Sequence, residues 1–116
     1  MATAREAVAA GAEVIGYRLL LAADEEMNDA AAFDEAAASG LGSDFLDDMQ
    51  HAIDAVQEMP EIGPAVQDSF RHILLRRFPF SIIYALDSNS IVVVAVAHQR
   101  RRPGYWKGRM SGRENE

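Results

Sequence analysis

The spacing of apolar residues predicts one strand followed by two helices in the first half of the chain. Residues 14–22 form an apolar run typical of a strand, and Asp24 can cap the helix that follows it. Residues 24–39 are rich in alanine and in acidic side chains, which lie in the first turn where the helix dipole favours them. The glycines of residues 40–42 end this helix, so the two helices should form an antiparallel hairpin.

The second helix carries a regular apolar band. Ser43 and Asp44 can cap its start, Pro60 ends it, and residues 60–64 form a loop. Its apolar positions recur at spacings of three or four residues, which predicts one face turned toward the core. The band comprises Leu46, Met49, Ile53 and Val56, widened by Phe45 and Ala52.

The second half of the chain predicts three strands. Residues 69–78, 80–86 and 91–98 are rich in β-branched and aromatic side chains, and residues 87–90 form a tight turn. The last run is apolar at nearly every position, which is typical of a central strand covered on both faces. The order β-α-α-β-β-β predicts a small α+β domain, with the helical hairpin packed on a twisted, mainly antiparallel sheet.

Length and composition indicate one domain. The chain has 116 residues, 49% of them hydrophobic, which suffices for a single core. It contains no cysteine, so disulfides and thiolate metal sites are excluded. No apolar run reaches the roughly 20 residues of a membrane span, and the N-terminus does not have the pattern of a secretory signal. We therefore expect a cytoplasmic protein with no metal, cofactor or membrane contact.

Charge is divided between the two halves of the chain. Residues 1–68 carry 15 acidic side chains against two arginines, a net charge of −13. Residues 69–116 carry nine lysines and arginines against three acidic side chains, a net charge of +6. Because distant acids oppose phosphate binding, this is not the pattern of a general nucleic-acid binder. It predicts one basic face for an acidic partner or for a nucleic-acid site.

Three segments together resemble the RelE/ParE superfamily of type II toxins. They are residues 40–64, residues 74–84 with their Arg-Arg-Phe-Pro-Phe turn, and residues 92–109 with their His-x-Arg-Arg-x-Pro-x-Tyr-Trp ending. The resemblance implies the β-α-α-β-β-β fold predicted above and a toxin that a cognate antitoxin holds inactive. It places the toxin domain in residues 14–109, between an N-terminal extension (residues 1–13) and a C-terminal tail (residues 110–116).

Members of this superfamily divide by activity. RelE-like toxins cleave mRNA on the ribosome without a metal, whereas ParE-like toxins inhibit DNA gyrase and are not known to catalyse a reaction. Ribonuclease members carry basic side chains on the strand before the turn and an arginine after it. Here those positions hold His72, Leu74 and Ser81, so two of the three have no charge. This departure favours the ParE-like branch, with DNA gyrase as the target. An mRNA endonuclease and an inactive antitoxin-binding domain are the alternatives.

The endonuclease alternative would use residues that the resemblance indicates. They are His72, Arg77, His98 and Tyr105. A histidine can act as an acid or a base near neutral pH, and an arginine can stabilise the charged phosphorane. The other interpretation of His98 is structural, with its ring hydrogen-bonded at the end of the last strand. The ribosome and mRNA would then replace gyrase as the partners.

A second set of residues predicts a docking edge for the antitoxin or for the target. It comprises Arg76, Arg77, Arg100, Arg101, Arg102, Tyr105 and Trp106. Arginines bind carboxylates and phosphates through paired hydrogen bonds, and aromatic side chains can stack on a partner. The alternatives are that the arginines pair with the acidic helices and that Trp106 packs the tail onto the sheet. A homodimer and a toxin–antitoxin hetero-oligomer are both left open.

Overall fold

The described part of the chain contains two helices and five strands. The computed structural model describes residues 15–67 and 69–110. In chain order the elements are β1 (Gly16–Leu19), α1 (Leu21–Ala37), α2 (Leu41–Glu58), β2 (Ala65–Gln67), β3 (Phe70–Leu74), β4 (Phe80–Asp87) and β5 (Ser90–His98). A 3₁₀ turn, Lys107–Met110, follows them. The predicted extension of residues 1–13 and nearly all of the predicted tail lie outside the described residues.

The strands form one sheet in the order β1-β5-β4-β3-β2. β1 runs parallel to β5, and the other neighbouring pairs are antiparallel. Side chains of both helices share one core cluster with residues of β4 and β5, so the helical hairpin covers one face of the sheet. The predicted α+β fold is confirmed. Neither helix in the described part of the chain has the length and apolar character that crossing a membrane requires.

β2 is an additional strand that the sequence pattern does not predict. It is only three residues long, and its pairing with β3 is irregular, so it offers no alternation to detect. β3 is also shorter than the predicted run of residues 69–78, since it ends at Leu74. The chain turns there, and the Leu75 N–H donates to the Phe80 carbonyl at 2.9 Å. The observed order is therefore β-α-α-β-β-β-β.

α1 begins three residues earlier than its predicted cap at Asp24. The Leu20 N–H donates to the Val93 carbonyl of β5 at 3.0 Å, while the Leu20 carbonyl accepts the Asp24 N–H at 2.9 Å. One residue thus completes the pairing of β1 and starts the helix. No side chain caps this helix end. The backbone bonds of Leu20 define where the strand stops and the helix starts.

The carboxylate of Glu35, near the end of α1, supports the start of α2. Gly40 adopts a left-handed conformation with φ 88°, as a glycine at a helix break allows. The Glu35 carboxylate accepts hydrogen bonds from the Gly40 and Gly42 N–H groups at about 3.0 Å. These bonds, from Gly40 first, hold the pKa of Glu35 below its usual range. The predicted caps Ser43 and Asp44 lie inside the helix instead.

Aromatic rings join α2 to the sheet. The buried Phe45 ring meets the Phe78 and Phe80 rings edge to face, each at 5.3 Å between centroids. Leu46, which the sequence places in the apolar band, is 39% exposed and lies beside the band. The buried apolar residues of α2 are Phe45, Met49, Ala52, Ile53 and Val56. We call the side of the sheet that the two helices cover the helix face.

The opposite side of the sheet, which we call the strap face, has its own apolar cluster. It includes Ile83 of β4 and Val92, Val94 and Ala95 of β5, and Trp106 packs on it. Every residue of β5 between its two ends is buried, which confirms the prediction of a central strand covered on both faces. Trp106, Tyr105 and Met110 of the chain that follows β5 pack on the strap face.

A β-bulge interrupts the alternation of side chains in β5. Ile83 pairs with Ala95 and the next residue, Tyr84, pairs with Val93, which leaves Val94 without an opposite residue. Val94 and Ala95 are consecutive, yet both belong to the strap-face cluster. Val96 consequently returns to the helix-face cluster.

Tyr84 fixes the loop that leads from α2 to β2. Its hydroxyl donates to the Pro60 carbonyl at 2.8 Å and accepts the Gly63 N–H at 3.1 Å. Arg71 donates to the Gly63 carbonyl at 2.7 Å from the neighbouring strand. A Cβ atom on Gly63 would lie 2.2 Å from the His72 carbonyl oxygen, so only glycine fits this close approach. The loop is therefore tied to the sheet at Pro60 and Gly63, although most of its residues are exposed.

We expect Tyr84→Phe to lower the free energy of unfolding by about 1–3 kcal/mol, because it removes the hydroxyl that bonds the buried Gly63 N–H and the part-buried Pro60 carbonyl. Urea denaturation followed by circular dichroism measures this loss. Tyr17→Phe is the control, since no described residue hydrogen-bonds to the Tyr17 hydroxyl and its partly buried ring packs in the same cluster as the buried Tyr84. Equal effects of the two substitutions would contradict the role given to Tyr84.

Candidate functional site

The chain after β5 forms a strap across the strap face. We define the C-terminal strap as residues 99–110. It turns back where the Arg101 N–H donates to the His98 carbonyl at 2.9 Å, and Gly104 bends it with φ 79°. Trp106, 4% exposed, meets the Phe70 ring at 4.9 Å between centroids. Packing by this tryptophan therefore anchors the strap to the sheet.

Glu26 of α1 binds the strap from the side. Its carboxylate accepts the Tyr105 hydroxyl at 2.8 Å and two guanidinium nitrogens of Arg109 at 3.0 and 2.8 Å. It also accepts the Val96 N–H at 2.9 Å. Arg109 reaches further and donates to the Val94 carbonyl at 3.0 Å. A helix, the central strand and the strap thus meet at one carboxylate.

The position of this cluster follows from the short length of β1. The last paired residue of β1, Leu19, lies opposite Val93, so no strand of the described residues pairs with the rest of β5 on that edge. The Val96 N–H and the Val94 carbonyl on this stretch are bonded by Glu26 and Arg109 instead. Side-chain hydrogen bonds therefore satisfy backbone groups that strand pairing would otherwise satisfy, because buried backbone groups need partners.

The cluster changes the proton affinity of its members. Burial of the Glu26 carboxyl opposes its ionisation, but the hydrogen bonds from Arg109, Val96 and Tyr105 outweigh burial, so the pKa of Glu26 lies below its usual range. Burial, followed by the hydrogen bond to Glu26, raises the pKa of Tyr105 to about 12. The bond to Glu26 raises the pKa of Arg109. At neutral pH the cluster is an ion pair with a neutral tyrosine.

A pocket of about 360 Å³ opens beside the strap on the strap face. Ser81 and Ile83 of β4 line it, and the strap residues Arg101, Arg102 and Tyr105 form its rim. The Arg101 guanidinium lies over the Tyr105 ring, 3.7 Å from its centroid. Within the described residues no carboxylate pairs with Arg101 or Arg102. The pocket can therefore offer positive charge to a ligand.

The two histidines of the predicted endonuclease site lie on opposite faces of the sheet. The His98 ring meets the Phe80 ring at 5.0 Å, on the helix face, and its Nδ1 accepts the Arg100 N–H at 3.0 Å. His72 is paired in register with Ile83, which belongs to the strap-face cluster. Burial lowers the pKa of His72. The structure therefore does not bring the two imidazoles together.

Arg77 contacts the helical hairpin rather than a common basic edge. Its backbone N–H donates at 2.8 Å to Asp48, whose side chain is buried, and its guanidinium lies 3.7 Å from the Asp44 carboxylate. Arg76 lines a second pocket, of about 390 Å³, together with residues of α2 and β3. The turns that carry the two groups of arginines are adjacent, since the Gln99 N–H donates to the Pro79 carbonyl. Arg76 nevertheless lines the second pocket, whereas Arg101 and Arg102 line the strap-face pocket.

Glu26 and Arg109 are central to this site, although neither is among the site residues predicted from the sequence. They lie 83 residues apart, so no local spacing connects them. One signal is present in α1, where Ala23, Met27 and Ala30 belong to the core and Glu26 shares their side of the helix. An acid within an apolar helical stripe calls for a buried partner. The described residues contain no group of three or more His, Cys, Asp or Glu side chains placed to hold a metal ion.

Comparisons with known proteins agree with this architecture. The family model of the ParE toxin of type II toxin–antitoxin systems, parDE, matches residues 17–103, from β1 into the strap. Among solved structures, a chain of the chromosomal ParDE toxin–antitoxin system from P. aeruginosa matches with a TM-score of 0.53 and 16% identity. The match covers 73% of this chain and 96% of that chain, and at this identity it shows a common fold. No curated protein matches the chain.

We expect Glu26 to contribute to the loss of the free energy of unfolding at acid pH. Its pKa in the folded state lies below 4.5, so its stabilisation is present above that pH and is lost as the pH falls through the folded-state pKa. Glu26→Gln should therefore lower the free energy of unfolding at pH 7 and flatten its decline below about pH 4.5. Denaturant titrations at several pH values measure both effects. Glu25→Gln, an exposed neighbour on α1, should leave the decline unchanged; equal slopes for both variants would contradict the expectation.

Proposed function

We propose a function for this chain from one premise: it belongs to the ParE toxin family of type II toxin–antitoxin systems. In this proposal the protein acts in the cytoplasm of a bacterium, where it inhibits DNA gyrase by binding to it. A cognate antitoxin neutralises the protein until the antitoxin is lost. Gyrase is the target that the resemblance to ParE-like toxins implies, and binding without catalysis is supported by the geometry of the site.

The separation of His72 and His98 is the observation that favours binding over catalysis. Metal-free RNA cleavage needs a base for the 2′-hydroxyl and an acid for the leaving oxygen, placed around one phosphate. Here the sheet separates the two imidazoles, and His98 Nδ1 already accepts a backbone N–H. Arg77 is held by acidic residues of α2, and the Tyr105 hydroxyl is bonded to Glu26. His98 and Tyr105 both line the strap-face pocket, but His72 and Arg77 are not among its lining residues, so the four candidates are not gathered around one substrate position.

The strap-face pocket is the surface that we propose for docking. Arg100, Arg101 and Arg102 are exposed, and no carboxylate among the described residues pairs with them. A guanidinium binds a carboxylate through two parallel hydrogen bonds, so this rim suits an acidic segment of the antitoxin. Trp106, itself a residue of the strap, is buried against the sheet and holds the strap in place. An antitoxin bound here would cover the arginines that we propose for contact with gyrase.

Expression without an antitoxin tests the proposal in cells. We expect growth arrest together with a rising SOS reporter signal, because trapped gyrase leaves broken DNA. The purified protein should inhibit the supercoiling activity of DNA gyrase in vitro. Growth arrest with a silent reporter would indicate mRNA cleavage instead. Normal growth at high expression would indicate a domain that only binds an antitoxin.

Substitution of the histidines provides a second test. We expect His72→Gln and His98→Gln to keep their SOS induction and gyrase inhibition within about twofold of the unsubstituted protein, because neither imidazole transfers a proton in a binding mechanism. Glutamine at position 98 keeps an acceptor for the Arg100 N–H. Circular dichroism confirms that each variant is folded. A loss of toxicity of about a hundredfold or more in a folded histidine variant would favour the endonuclease.

A further inference from the structure

Tyr105 connects Glu26 to the rim of the strap-face pocket. The Tyr105 hydroxyl donates to Glu26 at 2.8 Å, and the Tyr105 ring lies 3.7 Å beneath the guanidinium of Arg101. Arg101 is exposed and lines the pocket, whereas Glu26 is half-buried beside the opposite end of the tyrosine. The three side chains form a chain of contacts that runs from α1 to the proposed docking surface.

We propose that Glu26 is a positioning residue for the docking surface: it fixes Tyr105, and Tyr105 holds the Arg101 guanidinium at the rim of the pocket. The inference rests on the proposed function, because it assigns Glu26 a role in binding of the target. Glu26 itself touches no partner. Its effect on binding passes through the tyrosine ring.

Preorganisation of Arg101 is the physical basis of this role. A free arginine side chain loses considerable rotamer entropy when a partner immobilises it. An aromatic ring within about 6 Å attracts the guanidinium and restricts it before binding. The ring can do this only if it is fixed itself, and the hydroxyl bond to Glu26 fixes the end of the ring that lies away from the backbone.

Arg109 keeps Arg101 available for a partner, because Arg109 already occupies the Glu26 carboxylate. Two nitrogens of Arg109 bond the Glu26 carboxylate at 3.0 and 2.8 Å and balance its charge. Arg101 is therefore left over the Tyr105 ring, and none of its side-chain N–H groups donates to a described residue. The donors of Arg101 remain available to a carboxylate of a partner.

A double-mutant cycle tests whether Glu26 acts through Arg101. The variants are Glu26→Gln, Arg101→Gln and the combination of both, and the readout is the concentration that half-inhibits DNA supercoiling by purified gyrase. We expect Arg101→Gln to weaken inhibition about tenfold and Glu26→Gln about fivefold. The combination should be no weaker than Arg101→Gln alone. Independent, multiplying effects would overturn the proposal, because Glu26 would then act by another route.

Tyr105→Phe separates positioning from general stability. This variant keeps the ring beneath Arg101 but removes the hydroxyl bond to Glu26, while the bonds of Arg109 and Val96 to Glu26 are left in place. We expect it to reproduce the fivefold loss of Glu26→Gln, and Glu25→Gln to cause none. The emission of Trp106, the one tryptophan in the sequence, reports whether the strap stays docked. If Glu26→Gln releases the strap, Tyr105→Phe carries the test, and an unchanged half-inhibiting concentration for it overturns the proposal.

The mobility of Arg101 provides a measurement that does not depend on gyrase. NMR relaxation of the Arg101 Nε–H group should show a lower order parameter in Glu26→Gln and Tyr105→Phe than in the unsubstituted protein and in Glu25→Gln. An unchanged order parameter overturns the positioning role. If the unsubstituted protein does not inhibit gyrase while the order parameter still falls, the proposed target is wrong and the positioning of Arg101 by Glu26 stands.

Discussion

The hydrogen bonds of the Glu26 carboxylate are the interaction on which the rest of the structure depends. β1 is too short to cover the whole edge of β5, and Glu26 and Arg109 together bond the backbone groups left on that edge. The same carboxylate fixes the strap that covers the second face of the sheet. An unbonded buried backbone group costs about 1–3 kcal/mol, so a strand this short is tolerable only with such a cluster. The strap and the central strand are therefore stabilised together.

The division of charge along the sequence becomes a division in space, and among the described residues two ion pairs join the acidic and basic halves. Arg109 crosses to Glu26, and Arg77 crosses to the acidic residues at the start of α2. The half-buried pair of Arg109 has fixed geometry and several hydrogen bonds, whereas the exposed pair of Arg77 contributes little to stability. No carboxylate among the described residues pairs with the remaining exposed arginines of the strap. This leaves a basic rim on an acidic protein.

Features with a regular pattern could be predicted from the sequence, whereas features set by contacts across the fold could not. The apolar run of β5 and the band on α2 predicted the central strand and the helical hairpin, because period and burial are linked directly. β2 was missed because three residues carry no pattern. The true start of α1 was missed because pairing of Leu20 with Val93 determines it. For the site, the sequence indicated the strap and its arginines, but the bond of Glu26 to Arg109 joins residues too far apart for any spacing to reveal.

The bulge at Val94 has a consequence for the chemistry available to this sheet. Side chains of a strand alternate between its faces, and one extra residue exchanges the faces of every residue that follows it. Counted from Val93 without the bulge, His98 would fall on the strap face, the face that carries His72. With the bulge, its ring lies against Phe80 on the helix face. The length of β5, counted to a single residue, therefore determines whether this scaffold presents one imidazole or two to a ligand, with no change in the type of any side chain.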